Sequence, residues 1–237
     1  MKKLNFLMKG RRELKAILFD LDETLLDREQ SLLNFISDQY DRLFTEYGVN
    51  KEEFCMKFVE WDQRGYVWKD VVYAKIIKFF SLQHLCPEDL VKDYLLNFAG
   101  HATPFPGLHD VLSTLKKEGY LLGLITNGRE DLQTSTIEAL KLAPFFDIIL
   151  ISESLGIKKP DLRIFKHALN QLGIEPSNAV YVGDHPINDV EASIRSGMTG
   201  IWKKTECWDG EGIQYIIEEL SELLVLIKNI DKSINNN

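Results

Sequence analysis

The chain has 237 residues, enough for one large domain or for a core with a smaller accessory domain. Its apolar content of 45% and charged content of 27% are ordinary for a folded globular protein. A formal net charge of -8 argues against a non-specific nucleic-acid binder, which would need a basic face, but not against a phosphorylated ligand held by a local basic site and a metal.

The first segment, Met1 to Met8, has the basic start of a secretory leader. Lys9, Arg11, Arg12 and Glu13 then interrupt its apolar run, and no small-residue cleavage site follows. No stretch approaches the roughly 20 apolar residues of a membrane span. The three cysteines, Cys55, Cys86 and Cys207, are widely spaced and form no CxxC pair. They read as reduced thiols. The expectation is a soluble cytoplasmic protein with no membrane attachment, either a monomer or a small homo-oligomer.

Lys15 to Phe19 is a short apolar run that predicts a buried strand ending at Asp20. From about Arg28 to Ala99 the apolar residues recur at helical spacing, as in Leu32, Phe35, Ile36, Tyr40 and Leu43, and no strand is predicted. Pro87-Glu88-Asp89 suits a first helical turn. After Pro104-Phe105-Pro106-Gly107 strands and helices alternate. Helices are predicted over 108–118, 132–140, 161–172, 190–196 and 214–227. Strands are predicted over 120–125, 147–151, 179–182 and 199–202, and the tail Asn235-Asn236-Asn237 is expected to fray. Such alternation predicts an α/β fold: a Rossmann-like, mostly parallel sheet in a core of residues 1–27 and 100–237. Residues 28–99 form an inserted all-helical domain.

In open α/β sheets the ligand site lies beyond the carboxyl ends of the strands. Three predicted strand ends carry polar residues here: Asp20 and Asp22, then Thr126 and Asn127, then Asp184. Lys159 precedes Pro160 just before a helix. Clustered carboxylates repel one another unless a cation joins them, and hard oxygen ligands suit Mg²⁺. A lysine beside a hydroxyl and an amide suits a phosphoryl group.

These residues resemble the haloacid dehalogenase superfamily of phosphohydrolases. Asp20-Leu21-Asp22-Glu23-Thr24 is similar to its first motif and Thr126-Asn127 to its second. Lys159-Pro160-Asp161 is similar to the third, and Gly183-Asp184 with Asp189 to the fourth. All four occur in the family's order over nearly the whole chain. Glu23 departs from the glycine of many members, and the doubled Lys158-Lys159 leaves Lys158 as a fallback for the motif lysine. The helical insert resembles the family's type 1 cap.

The resemblance implies a Mg²⁺-dependent phosphatase acting on a small phosphorylated metabolite. Asp20 would be the nucleophile and Asp22 the general acid and base. Asp20, Asp184 and the main-chain carbonyl of Asp22 would hold the metal. Thr126, Asn127 and Lys159 would hold phosphoryl oxygens. Asp189 would orient Asp184 or Lys159, or else only cap a helix. In the cap, Arg64 and Trp68, beside Trp61 and Tyr66, are candidates either for contact with the leaving group or for packing. Arg28, at the predicted hinge, is a further candidate. Alternatives are a phosphomutase or a dehalogenase of the same superfamily, or a non-catalytic binding module. Asp22 argues against dehalogenation, since that branch lacks the second acid.

Overall fold

A computed structural model describes residues 13–236, with side chains described up to residue 233. The leader-like reading of residues 1–12 and the tail residue Asn237 lie outside the described residues. In chain order the elements are β1 (Ala16–Phe19), β2 (Leu26–Asp27), α1 (Arg28–Leu43), α2 (Lys51–Asp62), α3 (Lys69–Phe79), α4 (Pro87–Asn97) and β3 (Thr103–Pro104). There follow α5 (Leu108–Lys117), β4 (Leu121–Thr126), α6 (Glu130–Ala139), β5 (Ile148–Ile151), α7 (Ser152–Leu155), α8 (Leu162–Leu172) and β6 (Ala179–Gly183). The last are α9 (Ala192–Arg195), β7 (Thr199–Lys203), β8 (Ile216–Ile217) and α10 (Leu223–Asn236). Among these described residues no helix is long and apolar enough to cross a membrane.

The chain divides into two compact units. The first takes residues up to Thr24, Pro106–Asn127 and Phe145–Asn237. It is built on a six-stranded sheet in the order β5-β4-β1-β6-β7-β8, every pairing parallel. The central strand β1 is apolar throughout because both its faces are covered. Ala16 and Leu18 join a core with Ile164, Phe165 and Ala168 of α8, while Ile17 and Phe19 on the opposite face are equally buried. The fold is therefore the Rossmann-like α/β arrangement that the alternation predicts.

The end of the chain differs from the sequence reading. The predicted helix over 214–227 is instead a short edge strand, β8, followed by a helix that starts at Leu223. Trp202 N donates to Tyr215 O at 2.9 Å and Lys204 N to Ile217 O at 2.8 Å. Pairing with β7 thus overrides a helical pattern of apolar residues that continues through this stretch. The helix reaches Asn236, so the backbone of Asn235 and Asn236 is helical where fraying was expected.

The second unit takes Leu25–Phe105 and Gly128–Pro144. It is helical apart from the antiparallel pair β2–β3, where Leu26 faces Pro104 and Asp27 faces Thr103. Asp27 caps α1 by accepting from Gln30 N, and Asn50 caps α2 by accepting from Glu53 N. The apolar faces of α1 to α4 meet in an aromatic core of Phe35, Phe54, Phe58, Tyr73 and Tyr94. Inside this unit Asp62 takes two cations: Arg28 Nη2 at 2.9 Å, and Lys69, which is itself 2% exposed. Burial alone would raise the Asp62 pKa; Arg28 and Lys69 outweigh it and lower the pKa instead.

Candidate active site

The sheet order explains why motifs distant in sequence meet. Strand β1 lies between β4 and β6, with Phe19 paired to Leu124 on one side and to Val182 on the other. The main-chain N–H of Asp20 continues the ladder to Val182 O at 2.9 Å. The residues that close these three strands, Asp20, Thr126-Asn127 and Gly183-Asp184, therefore stand at neighbouring strand ends, where a parallel sheet offers its ligand site.

Carboxylate oxygens of Asp20, Asp184 and Asp189 lie within 4.8 Å of one another, and all three residues are buried. Lys159 enters the same cluster from the loop before α8. Its Nζ donates to Asp20 Oδ1 at 2.5 Å, to Asp189 Oδ1 at 2.7 Å and to the Tyr181 hydroxyl at 2.9 Å. Of the two adjacent lysines, Lys159 is 4% exposed within the cluster, while Lys158 is exposed to solvent.

The electrostatics follow from this crowding. Burial raises the Asp20 pKa well above the ordinary carboxylate value; Lys159 opposes the rise, and Asp189, Asp184 and Asp22 add to it. Burial by itself would lower the Lys159 pKa, but Asp189 and Asp20 outweigh it and keep the ammonium charged. One buried ammonium thus faces three buried acids. Further positive charge would relieve the repulsion among these carboxyl groups, and the donors available are hard oxygens. That donor set fits Mg²⁺.

Each neighbour of the cluster is fixed by a specific contact. Asp189 lies in a π-helical turn, Pro186–Glu191, rather than at the start of the predicted 190–196 helix. Its second oxygen, Oδ2, accepts from His185 N at 3.0 Å. Gly183 is required by this approach, since a Cβ there would come within 2.5 Å of the Asp189 side chain. The Asp184 carbonyl accepts from Trp202 Nε1 at 2.6 Å. His185 acts as a local cap, its Nδ1 accepting from Ile187 N and Asn188 N.

Asn127 does not project its side chain as an isolated donor. Its Oδ1 accepts from Lys159 N at 2.9 Å and its Nδ2 donates to Lys159 O at 3.0 Å. Thr126 is fully buried as the last residue of β4, and Asp22 is half-buried two residues beyond Asp20. The contributions of Tyr181 and Trp202 are not evident from the sequence, where both read as ordinary apolar strand residues.

The remaining candidates belong to the helical unit. Arg28 is paired with Asp62. Arg64 adopts a left-handed backbone conformation at φ 59° just after α2. The Trp68 ring has the Arg129 guanidinium at 5.0 Å and the Lys69 ammonium at 5.9 Å.

Comparison with known proteins adds independent findings. A family model described as haloacid dehalogenase-like hydrolase matches residues 17–203. The glyceraldehyde 3-phosphate phosphatase of Pyrococcus furiosus is 28% identical over 92% of this chain and 94% of its own. The pyrimidine 5'-nucleotidase of Escherichia coli is 30% identical over 78% of this chain and 84% of its own. Among solved structures, a phosphatase from Thermococcus onnurineus superposes with a TM-score of 0.64. It is 29% identical and covers 90% of this chain and 98% of its own.

Proposed function

Since the chain belongs to the haloacid dehalogenase-like hydrolases, we propose that it hydrolyses a small phosphorylated metabolite through a phosphoaspartate on Asp20, with Mg²⁺ as cofactor. It is a phosphoric monoester hydrolase of that family. The observation that carries the mechanistic reading is the buried cluster of Asp20, Lys159, Asp184 and Asp189 at the strand ends. Relatives named for glyceraldehyde 3-phosphate, phosphoglycolate and pyrimidine nucleotides differ widely in leaving group, which supports a phosphorylated small molecule as the substrate class.

In this reading a carboxylate oxygen of Asp20 attacks phosphorus as the ester P–O bond breaks, forming the acyl phosphate. Asp22 gives its proton to the departing oxygen. It then takes a proton from the water that attacks phosphorus, releasing inorganic phosphate and restoring Asp20. Thr126 and Lys159 hold the non-reacting oxygens, and Asp189 keeps Lys159 in position. Asp20, Asp184 and the main-chain carbonyl of Asp22 would hold the metal, which would supply charge neutralisation for the phosphoryl group. The helical unit, read as a cap, selects the leaving group, with Arg28, Arg64 and Trp68 as candidate contacts.

Release of phosphate from an aryl phosphate and from a panel of phosphorylated metabolites, with and without EDTA, tests this reading. Asp20→Asn should abolish turnover and EDTA should silence the wild type. An Asp20→Asn enzyme that keeps most of its activity would remove Asp20 as the nucleophile. An isomerised product in place of free phosphate would mark a mutase.

A further inference from the structure

Tyr181 lies in the middle of β6, fully buried, with its ring edge-on to Phe165 at a centroid distance of 5.0 Å. A phenol in such a place needs hydrogen-bond partners. It has two, Lys159 Nζ at 2.9 Å and Ile125 O at 3.1 Å. The chemistry of these groups fixes the direction of both bonds. A carbonyl can only accept and an ammonium can only donate. The single phenolic proton therefore goes to Ile125, and the oxygen lone pair takes an N–H of Lys159.

An ammonium has three N–H donors. Without a ligand Asp20, Asp189 and Tyr181 are the three acceptors for them, two carboxyl groups and one hydroxyl, and a phosphoryl oxygen would take over the N–H now given to Asp20. A third carboxylate in the place of Tyr181 would add another buried negative charge beside three acids. An apolar side chain would leave one N–H without this acceptor, and only Asp20 and Asp189 would then orient the ammonium. Ile125 directly precedes Thr126, so the same relay joins Lys159 to the end of β4.

We infer that the Tyr181 hydroxyl is a positioning group that fixes the Lys159 ammonium against Asp20, where the phosphoryl oxygens gather. The inference rests on the phosphatase reading above.

The test compares two variants at saturating Mg²⁺. Tyr181→Phe keeps the ring and removes only the oxygen. It should lower kcat/KM by about 10- to 100-fold, the effect of one lost hydrogen bond to a charged group. Inorganic phosphate should inhibit it about 10-fold more weakly, while Mg²⁺ binding measured by calorimetry stays at the wild-type value. Phe165→Leu loosens the packing of the same ring and leaves the hydroxyl. It should melt at a lower temperature yet bind inorganic phosphate as the wild type does.

Wild-type kcat/KM and phosphate inhibition in Tyr181→Phe would overturn the inference. So would an equal loss of phosphate binding in Phe165→Leu, a loss traceable to weaker Mg²⁺ binding, or a Tyr181→Phe chain that cannot fold. A wild-type protein that releases no phosphate from any ester tells against the phosphatase reading itself. An active wild type with an indifferent Tyr181→Phe tells against the inference alone.

Discussion

Asn127 grips the peptide of Lys159 from both sides, accepting from its N–H at 2.9 Å and donating to its carbonyl at 3.0 Å. The second motif thereby sets where the third motif's lysine begins its reach toward Asp20. Asn127→Ala removes both bonds. It should lower kcat/KM by about 10- to 100-fold through misplacement of the Lys159 ammonium. Asn127→Asp restores the acceptor but not the donor and sets a carboxylate against a carbonyl, so it should not rescue. Steady-state kinetics on any accepted ester would check both variants.

Asp189 uses its two oxygens on two donors, Lys159 Nζ and His185 N. An asparagine in its place has one accepting and one donating end, so one of the two contacts becomes donor against donor. Asp189→Asn should therefore cost about 10-fold or more in kcat while leaving the protein folded. Circular dichroism alongside kinetics separates the two effects, and wild-type kcat would refute the assignment.

Trp202 donates its indole N–H to the Asp184 carbonyl, and Gly210 lies so close to the ring that a Cβ there would collide with it. Trp202→Phe removes the hydrogen bond and keeps an aromatic ring. With the Asp184 peptide less firmly held, the Mg²⁺ concentration for half-maximal activity should rise by roughly 3- to 10-fold. KM for the ester at saturating Mg²⁺ should move little. A Mg²⁺ titration decides it, and an unchanged midpoint would show that Trp202 only packs.

In the helical unit, the lowered pKa of Asp62 makes stability depend on pH with a definite sign. Burial opposes the shift, while Arg28 and Lys69 produce it. A carboxylate whose folded pKa is depressed contributes stability above its unfolded value of 3.8, and loses it as pH falls through the lower folded value. Asp62→Asn leaves two buried cations without this counter-charge and should cost about 3–5 kcal/mol at neutral pH. Thermal melts of wild type and variant should converge as the pH drops below 3.8. A gap that stays constant through that window would mean that the ionised Asp62 carboxylate is not its source.

The acids of the site were legible because they follow apolar strands directly, and parallel strands deliver their carboxyl ends to one place. Gly183 was legible as part of a motif, but the reason for it was not: the intrusion of the Asp189 side chain. Asn127 could be named but not understood, and Tyr181 read as an ordinary strand residue, since their common partner, Lys159, lies 32 and 22 residues away in the sequence. The last helix was misread for a similar reason. Tyr215, Ile216 and Ile217 carry an apolar pattern compatible with a helix, and only the free edge of β7 makes them a strand. In each case a tertiary partner outweighs the local pattern.

The place of β1 at the middle of the sheet also orders events during synthesis. Leu18 pairs with Gly123 on one flank and with Tyr181 on the other. The strand that ends at Asp20 thus leaves the ribosome long before either neighbour, with both edges open to mispairing. In the interval α1 to α4 are made, and their aromatic core draws on residues close in sequence. A nascent chain that stops short of Asp189 would display the whole first motif yet have nothing to complete the clamp on Lys159. Assembly of the buried cluster therefore waits until Asp189 has been made.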